Sequence, residues 1–140
     1  MDCELPTTNA TAPEIAALLR AAKTIAVIGA SPKEERPSHW ISLYLIEQGY
    51  NVIPVNPGQT ELFGRKCYKS LSEVPDPVDI VDIFREPGAV PAIVDEAIAK
   101  KAKAVWMQQG IVHNAAAEKA KAAGLAVVQN KCIYQEHQRV

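Results

Sequence analysis

Hydrophobic and polar positions alternate along the chain in two patterns, and together they predict a sheet flanked by helices. Five short runs are almost wholly apolar, which is typical of parallel strands covered on both faces. The segments between them carry apolar residues at helical spacing, and the first begins with the capping-box sequence Thr11-Ala12-Pro13-Glu14. The pattern predicts strands at 24–28, 51–55, 78–84, 104–107 and 125–128, and helices at 11–22, 38–48, 90–100 and 114–123.

This strict alternation of strands and helices favours one fold class. Successive strand–helix–strand units with right-handed crossovers produce a parallel sheet with helices on both faces. We therefore expect an α/β fold of three layers, Rossmann-like, with a doubly wound, mainly parallel five-stranded sheet. A chain of 140 residues has room for one such domain, 1–140, with segment 1–22 and its helix packing on it.

Two places depart from this regularity. Pro54 lies inside the second predicted strand, so we expect a strand end or a position that needs no ladder donor. The segment 56–77 is irregular, with a short extended piece expected at 67–68 and a helical turn at 70–74.

Composition and charge exclude several classes of partner. With 48% hydrophobic and 22% charged residues and a net charge of -1, the chain is expected to fold and shows no global signal for nucleic acid. Its apolar runs are far shorter than the roughly 20 residues that span a bilayer, and residues 1–4 lack the features of a signal peptide. We expect a cytoplasmic protein without a membrane partner.

Cysteine and histidine spacing gives no sign of a metal site or a disulfide framework. Cys3, Cys67 and Cys132 are an odd number at distant positions, so we interpret them as bystander thiols. The three histidines share no ligand spacing with them. Of these thiols, Cys132 is the one that we consider for exchange with a ligand thiol.

The candidate site follows from the predicted topology. Doubly wound sheets bind ligands beyond the carboxyl ends of their strands, near the point where strand order reverses. Four loops follow those ends, and each contains glycine, proline or small polar residues that allow backbone groups to approach a ligand. The candidates in these loops are Gly29, Ala30, Ser31 and Pro32; Val55, Asn56 and Pro57; Arg85; and Gln108, Gln109 and Gly110.

Familiar nucleotide motifs are missing from this edge. The chain has no G-x-x-x-x-G-K-[ST] loop, and after the first strand it has Gly29 without the rest of G-x-G-x-x-G. Asn56 stands where a dinucleotide enzyme has an acidic residue for the ribose. A standard NAD site is therefore disfavoured, although a nucleotide-dependent oxidoreductase stays an alternative.

Positive charge near the predicted edge points instead to a phosphorylated ligand. Six cations follow the ends of the first three strands, and Ser38 is expected to cap the helix that comes after the first loop. Such a patch beside a helix N-terminus suits a pyrophosphate. The six are Lys33, Arg36, Arg65, Lys66, Lys69 and Arg85.

Several spaced motifs carry a resemblance to a known family. They are Gly-Ala-Ser-Pro at 29–32, Arg36, Pro-Val-Asn-Pro at 54–57, Val-Asp-Ile-Phe-Arg at 81–85 and Val-Trp-Met-Gln-Gln-Gly-Ile at 105–111. From about residue 22 onwards the chain resembles the small CoA-binding proteins, Rossmann-like domains similar to the CoA-binding domain of the succinyl-CoA synthetase alpha subunit.

The resemblance implies a module that holds coenzyme A or an acyl-CoA. Loop 29–32 would meet the phosphates, and residues 55–57 would lie along the adenosine. Arg36 or Arg85 would neutralise phosphate charge, and residues 108–110 would lead toward the pantetheine arm.

The chain departs from the family near its C-terminus. Asn130-Lys131-Cys132 stands where the family often has an Asp-Arg pair before the cysteine. The phosphorylated histidine of the synthetase belongs to a separate domain, so the resemblance implies binding without its catalysis. Asp82 falls short of its predicted strand end, which disfavours a phosphoacceptor role. A protein-interaction module on the same fold, with an idle or regulatory CoA pocket and an apolar patch near Trp40 and Tyr44, stays an alternative.

Overall fold

A parallel five-stranded sheet forms the centre of the protein, as a computed structural model of residues 5–140 shows. Cys3 and the start of the predicted N-terminal segment lie outside the described residues. The strands are β1 (Thr24–Ile28), β2 (Asn51–Val55), β3 (Glu61–Leu62), β4 (Arg65–Lys66), β5 (Ile80–Ile83), β6 (Ala104–Met107) and β7 (Ala126–Val128). The sheet order is β2-β1-β5-β6-β7, with β3 and β4 forming a separate antiparallel hairpin. The predicted doubly wound, Rossmann-like sheet is confirmed.

Helices cover both faces of the sheet. They are α1 (Ala12–Ala21), α2 (Pro37–Glu47), α3 (Val90–Ala99), α4 (Asn114–Ala122) and α5 (Ile133–His137). Buried residues of α1, α2 and α5, such as Ile15, Leu45 and Ile133, pack in one core with alternate strand residues. Val94 of α3 and Ala117 of α4 pack in a second core on the opposite face. The two cores establish the three layers that the alternating pattern predicts.

The helix starts show which local signals decided their boundaries. In α1 the capping box forms as predicted: Glu14 N–H donates to Thr11 Oγ1 at 3.3 Å, and Thr11 N–H donates to Glu14 Oε1 at 2.7 Å. In α2 the prediction of Ser38 as N-cap is wrong, because Arg36 is the N-cap and Pro37 the first helical residue. Proline favours that position, since its fixed φ suits the helix and its missing N–H needs no partner there.

Pro54 lies within β2 without weakening its pairing to β1. Tyr68 N–H donates to the Pro54 carbonyl at 3.1 Å, and Asn56 N–H donates to the Tyr68 carbonyl at 2.8 Å. The N–H and C=O of one strand residue point to the same side of the strand. The N–H that Pro54 lacks would therefore have pointed toward Tyr68, away from β1. The expected extended piece at 67–68 is therefore the segment that covers the outer edge of β2.

The last turn of helix was not predicted from the sequence. After β7 the chain returns to the face of the sheet that α1 and α2 cover, where Trp106 Nε1 donates to the Lys131 carbonyl at 2.8 Å. Helix α5 then begins with the fully buried Ile133. Five residues are too few for a helical period to stand out. No helix among residues 5–140 is long and apolar enough to cross a membrane.

Candidate functional site

The order of the sheet reverses between β1 and β5, and the loops that follow these strands meet there. Gly29, after β1, has φ of +91°, and a Cβ at this position would lie 2.8 Å from the carbonyl oxygen of Phe84 after β5. Only glycine suits that combination of backbone angle and space. The close approach of backbone to a ligand that the sequence predicts at Gly29 stays a prediction; the structure shows in addition that Gly29 lets the two loops pack.

Asn56 joins the loop after β2 to the loop after β1. Its Nδ2 donates to the Ala30 carbonyl at 2.7 Å, and its Oδ1 accepts the Gly58 N–H at 2.8 Å. The Val55 carbonyl also accepts from the N–H groups of Gly29 and Ala30, at 3.0 and 3.3 Å. Because a carboxylate has no donor for the Ala30 carbonyl, an acidic residue could not replace this amide without losing a bond.

Two clefts open at this edge of the sheet, one on each face. The Asn56 cleft, about 510 Å³, lies on the α3 face and is lined by Ile28, Gly29, Val55, Asn56, Pro57, Lys69, Ser70, Leu71, Phe84, Arg85, Ile93 and Glu96. The Trp40 cleft, about 630 Å³, lies on the α2 and α5 face and is lined by Pro37, Trp40, Ile41, Phe84, Arg85, Glu86, Pro87, Gln108, Gln109, Gly110, Ile111, Cys132, Tyr134 and Gln135. Phe84 and Arg85 line both clefts, so these two residues lie between them.

The structure divides the predicted site residues between these clefts. Gly29, Val55, Asn56, Pro57 and Arg85 line the Asn56 cleft. Arg85 also lines the Trp40 cleft, together with Gln108, Gln109 and Gly110. Ala30 is fully buried beneath Asn56, and Ser31, Pro32 and Arg36 belong to the loop that leads from β1 into α2.

That loop ends at the N-terminus of α2. Within residues 5–140 no side chain caps α2, whereas Thr11 caps α1. Pro37 has no N–H and the His39 N–H donates to the Arg36 carbonyl at 2.9 Å, so the attraction for an anion here comes mainly from the helix dipole and from the full charge of Arg36. His39, on the first turn, is held by a 2.8 Å bond between its Nδ1 and the Ser31 carbonyl.

Two of the six predicted rim cations lie elsewhere, so that prediction is wrong for them. Arg65 Nη1 donates to Asn51 Oδ1 at 3.3 Å and to the Val52 carbonyl at 3.2 Å, at the amino end of β2. Lys66 lines the same surface cleft as Arg65, beside residues 51–53 of β2, and its Nζ lies 5.1 Å from the centre of the Tyr68 ring. The β3–β4 hairpin runs back along β2, and this carries both residues away from the carboxyl edge.

A buried polar network beneath the Trp40 cleft was not predicted from the sequence. Gln108 Nε2 donates to Asp82 Oδ1 at 3.1 Å, and Gln108 Oε1 accepts the Ile133 N–H at 3.1 Å. Burial raises the pKa of Asp82 well above its usual range, against the lowering effect of the Gln108 bond. Asp82 Oδ2 has no hydrogen-bond partner among the described residues, which costs less for a neutral acid than for a carboxylate. The signal in the sequence was one aspartate inside an apolar strand.

The remaining chemistry-bearing side chains have identifiable places. Cys132 is half-buried in the wall of the Trp40 cleft, and Cys67 is buried with its Sγ 3.6 Å from the Asn56 carbonyl. Burial raises the pKa of the Cys67 thiol. No group of three His, Cys, Asp or Glu side chains in the described part of the chain is placed to hold a metal ion.

Known proteins resemble this chain over most of its length. It is 37% identical over 129 residues to the uncharacterized protein YneT of Bacillus subtilis, a match that spans 92% of this chain and 96% of that protein. A hypothetical protein from Pyrococcus horikoshii OT3 has a solved structure with a TM-score of 0.91 and 42% identity, covering 99% of this chain and 98% of that one.

Part of a larger enzyme is similar as well. The chain is 42% identical over 89 residues to the alpha subunit of ADP-forming acetate–CoA ligase I from Pyrococcus furiosus. That match covers 59% of this chain and 19% of the subunit, so the likeness is confined to a small part of the ligase.

The family comparison agrees with the motifs at the strand ends. The sequence model described as the CoA binding domain matches residues 23–138, which include both clefts and all of the loops that form them. The chain therefore belongs to the CoA binding domain family.

Proposed function

We propose that the protein binds coenzyme A or an acyl-CoA across the crevice between β1 and β5. The observation that carries the proposal is the pair of clefts on opposite faces of the sheet, which share Phe84 and Arg85 as lining residues. Coenzyme A is elongated, with a phosphate-rich nucleotide at one end and a less polar pantetheine arm at the other. Two neighbouring clefts of different chemistry, located where strand order reverses, suit such a ligand.

The nucleotide end belongs in the Asn56 cleft. Its polar lining includes Asn56, Lys69 and Ser70, and residues 55–57 would lie along the adenosine. The phosphates would lie near loop 29–32 and the N-terminus of α2, with Arg36 at that terminus.

Arg85 is available to a phosphate at the junction of the clefts. Its guanidinium forms an ion pair with Glu86 at 3.0 Å, and the two side chains are 40% and 65% exposed. An exposed pair of this kind contributes at most about 1 kcal/mol, so a phosphate can replace the carboxylate at small cost.

The pantetheine arm would lie along Gln108, Gln109 and Gly110 in the Trp40 cleft. Gln108 is fixed in place by Asp82 and the backbone of Ile133, and Gly110 N–H donates to Asn130 Oδ1 at 2.7 Å. This loop is therefore a preorganised wall, and preorganisation lowers the entropy cost of binding.

We propose binding without turnover. Each of the three histidines has a hydrogen-bond partner in the protein: His39 the Ser31 carbonyl, His113 the Ala116 N–H, and His137 the Tyr44 hydroxyl. The thiol in the clefts, Cys132, is then a wall residue and the site is a binding site.

Isothermal titration of the purified protein with coenzyme A, 3′-dephospho-CoA and NAD tests the proposal, after mass spectrometry has shown that no ligand was carried through purification. We expect coenzyme A to bind at micromolar Kd or tighter, 3′-dephospho-CoA more weakly, and NAD not at all. Ligand-free protein that fails to bind coenzyme A would overturn the proposal. A preference for NAD would favour a nucleotide-dependent oxidoreductase instead.

A further inference from the structure

The Trp40 cleft is walled on several sides by apolar surface. Trp40 and Ile41 come from α2, Phe84 from the β5 loop, Ile111 from the β6 loop and Tyr134 from α5. The Trp40 and Tyr134 rings pack edge to face with centroids 5.1 Å apart. Trp40 is nonetheless 40% exposed, so part of this apolar wall is open to water. Burial of that surface by an apolar group would be favourable.

The charges in the Trp40 cleft cancel each other. Its charged lining residues are Arg85 and Glu86, and Arg85 Nη2 and Nε donate to the two carboxylate oxygens of Glu86 at 3.0 and 3.3 Å. In the complex that we propose, a phosphate of the ligand takes the place of Glu86 at the one guanidinium. A carboxylate entering this cleft would then meet the negative charge of Glu86 without a cation to offset it, whereas a neutral group would meet no such cost.

We propose that the Trp40 cleft holds the acyl group of an acyl-CoA, and that this group is uncharged and apolar. The inference rests on the proposed coenzyme A binding, because the nucleotide at the other cleft determines which end of the ligand arrives here. Both clefts border on Phe84 and Arg85, so a ligand that passes over these two residues would reach from one cleft to the other. The acyl chain would cover the open face of Trp40 and extend along Ile111 and Tyr134.

Isothermal titration with a series of thioesters tests this inference. The ligands are coenzyme A, acetyl-CoA, butanoyl-CoA, hexanoyl-CoA and succinyl-CoA. We expect Kd to fall about threefold to fourfold for each methylene added between acetyl and hexanoyl, as buried methylenes contribute elsewhere. Succinyl-CoA matches butanoyl-CoA in chain length but ends in a carboxylate, and we expect it to bind at least tenfold more weakly than butanoyl-CoA.

A pair of variants on α2 locates the acyl group. Trp40 and Leu43 lie on the same helix and are 40% and 41% exposed. Of these two residues, Trp40 lines the cleft and Leu43 does not. Trp40→Ala should reduce the dependence of Kd on chain length to less than twofold per methylene. Leu43→Ala should leave both unchanged. In the wild type, hexanoyl-CoA should shift the emission of Trp40 more than coenzyme A does.

The outcomes separate this inference from the proposed function. Binding of coenzyme A with no dependence on chain length, or tighter binding of succinyl-CoA than butanoyl-CoA, would overturn the acyl site and leave the proposed function intact. An equal loss of chain-length dependence in Leu43→Ala would also overturn it. Absence of binding by every ligand, coenzyme A included, would overturn both. Sedimentation that shows a dimer covering Trp40 in the absence of ligand would assign this surface to a second copy of the chain and overturn the acyl site.

Discussion

The two clefts at the carboxyl edge of the sheet are built in different ways. The Asn56 cleft lies over loops that are bonded to one another: backbone bonds join residues 28–30 at the end of β1 to Val55 and to Phe84, and the Asn56 side chain donates to the Ala30 carbonyl. The Trp40 cleft is formed by side chains from α2, α5 and two loops, above the network of Asp82 and Gln108. The first cleft is therefore suited to an invariant ligand part, and the second can change its shape through single substitutions.

Glycines show the same contrast between the clefts. Gly29 in the Asn56 cleft and Gly110 in the Trp40 cleft have nearly equal φ, +91° and +89°. A Cβ on Gly29 would collide with the Phe84 carbonyl, whereas a Cβ on Gly110 would find open space. Because the two glycines share a backbone angle but differ in their surroundings, alanine substitutions at both positions separate the energetic cost of backbone strain from the cost of a packing clash.

The largest loss of folding stability is expected from a substitution at Gly29. Gly29→Ala should lower the free energy of unfolding by at least about 3 kcal/mol, because strain at positive φ and an overpacked contact add. Gly110→Ala should cost only the strain, about 1 to 2 kcal/mol. Urea denaturation followed by circular dichroism measures both values. Equal losses in the two variants would mean that the contact between the β1 and β5 loops is not tight.

The second-largest effect is expected on coenzyme A affinity, at the cation beside the N-terminus of α2. Arg36→Ala should weaken coenzyme A binding by about 1.5 to 3 kcal/mol, the range for hydrogen bonds to charged groups. Arg65→Ala is the matched control, since it removes the same charge at the amino end of β2, and it should leave the affinity unchanged. Titration calorimetry measures the affinity of both variants for coenzyme A. Similar affinities for the two would show that Arg36 does not contact a phosphate of the ligand.

A smaller, pH-dependent effect is expected beneath the Trp40 cleft. Because burial raises the pKa of Asp82 in the folded state, the native protein keeps a proton that the unfolded chain releases above its own pKa of about 3.9. This contribution to stability is complete below that pKa and is lost as pH rises toward the folded-state pKa. Asp82→Asn cannot ionise and keeps an oxygen for Gln108. Its free energy of unfolding should exceed that of the wild type by a margin that grows roughly 1 kcal/mol per pH unit over this range.

Asp79 is the control for Asp82, because its pKa is shifted in the opposite direction. Burial raises its pKa, but hydrogen bonds from the N–H groups of Thr24 and Lys23 and the contact with Lys103 outweigh this, and the net pKa is lowered. Its contribution to stability is present above the unfolded pKa and is lost as pH falls through the folded pKa. Asp79→Asn should therefore be less stable than the wild type at pH 7, by a margin that shrinks toward pH 3. Thermal unfolding from pH 3 to 8 measures the stability of both variants relative to the wild type. If this difference changed with pH in the same direction for both, the raised pKa that we assign to Asp82 would be contradicted.

Local sequence signals were sufficient for most of the elements and for the edge that carries the site. The apolar run at β1 and the capping box at Thr11 lie where the structure has them, because each depends on neighbours within a few residues. The start of α2 was misplaced by two residues, because Pro37 and Ser38 are both good starting residues and only the loop before them selects one.

Local patterns along the chain were enough to predict the alternation of strands and helices, the family, and the set of loops at the carboxyl edge. Which residues of those loops meet became clear only in the folded protein. There Arg65 lies at the opposite edge, Gly29 packs against Phe84, and Gln108 connects Asp82 to α5. Each of these contacts joins residues at least 13 positions apart, and such pairings depend on strand order and on the path of the hairpin, which no local pattern encodes.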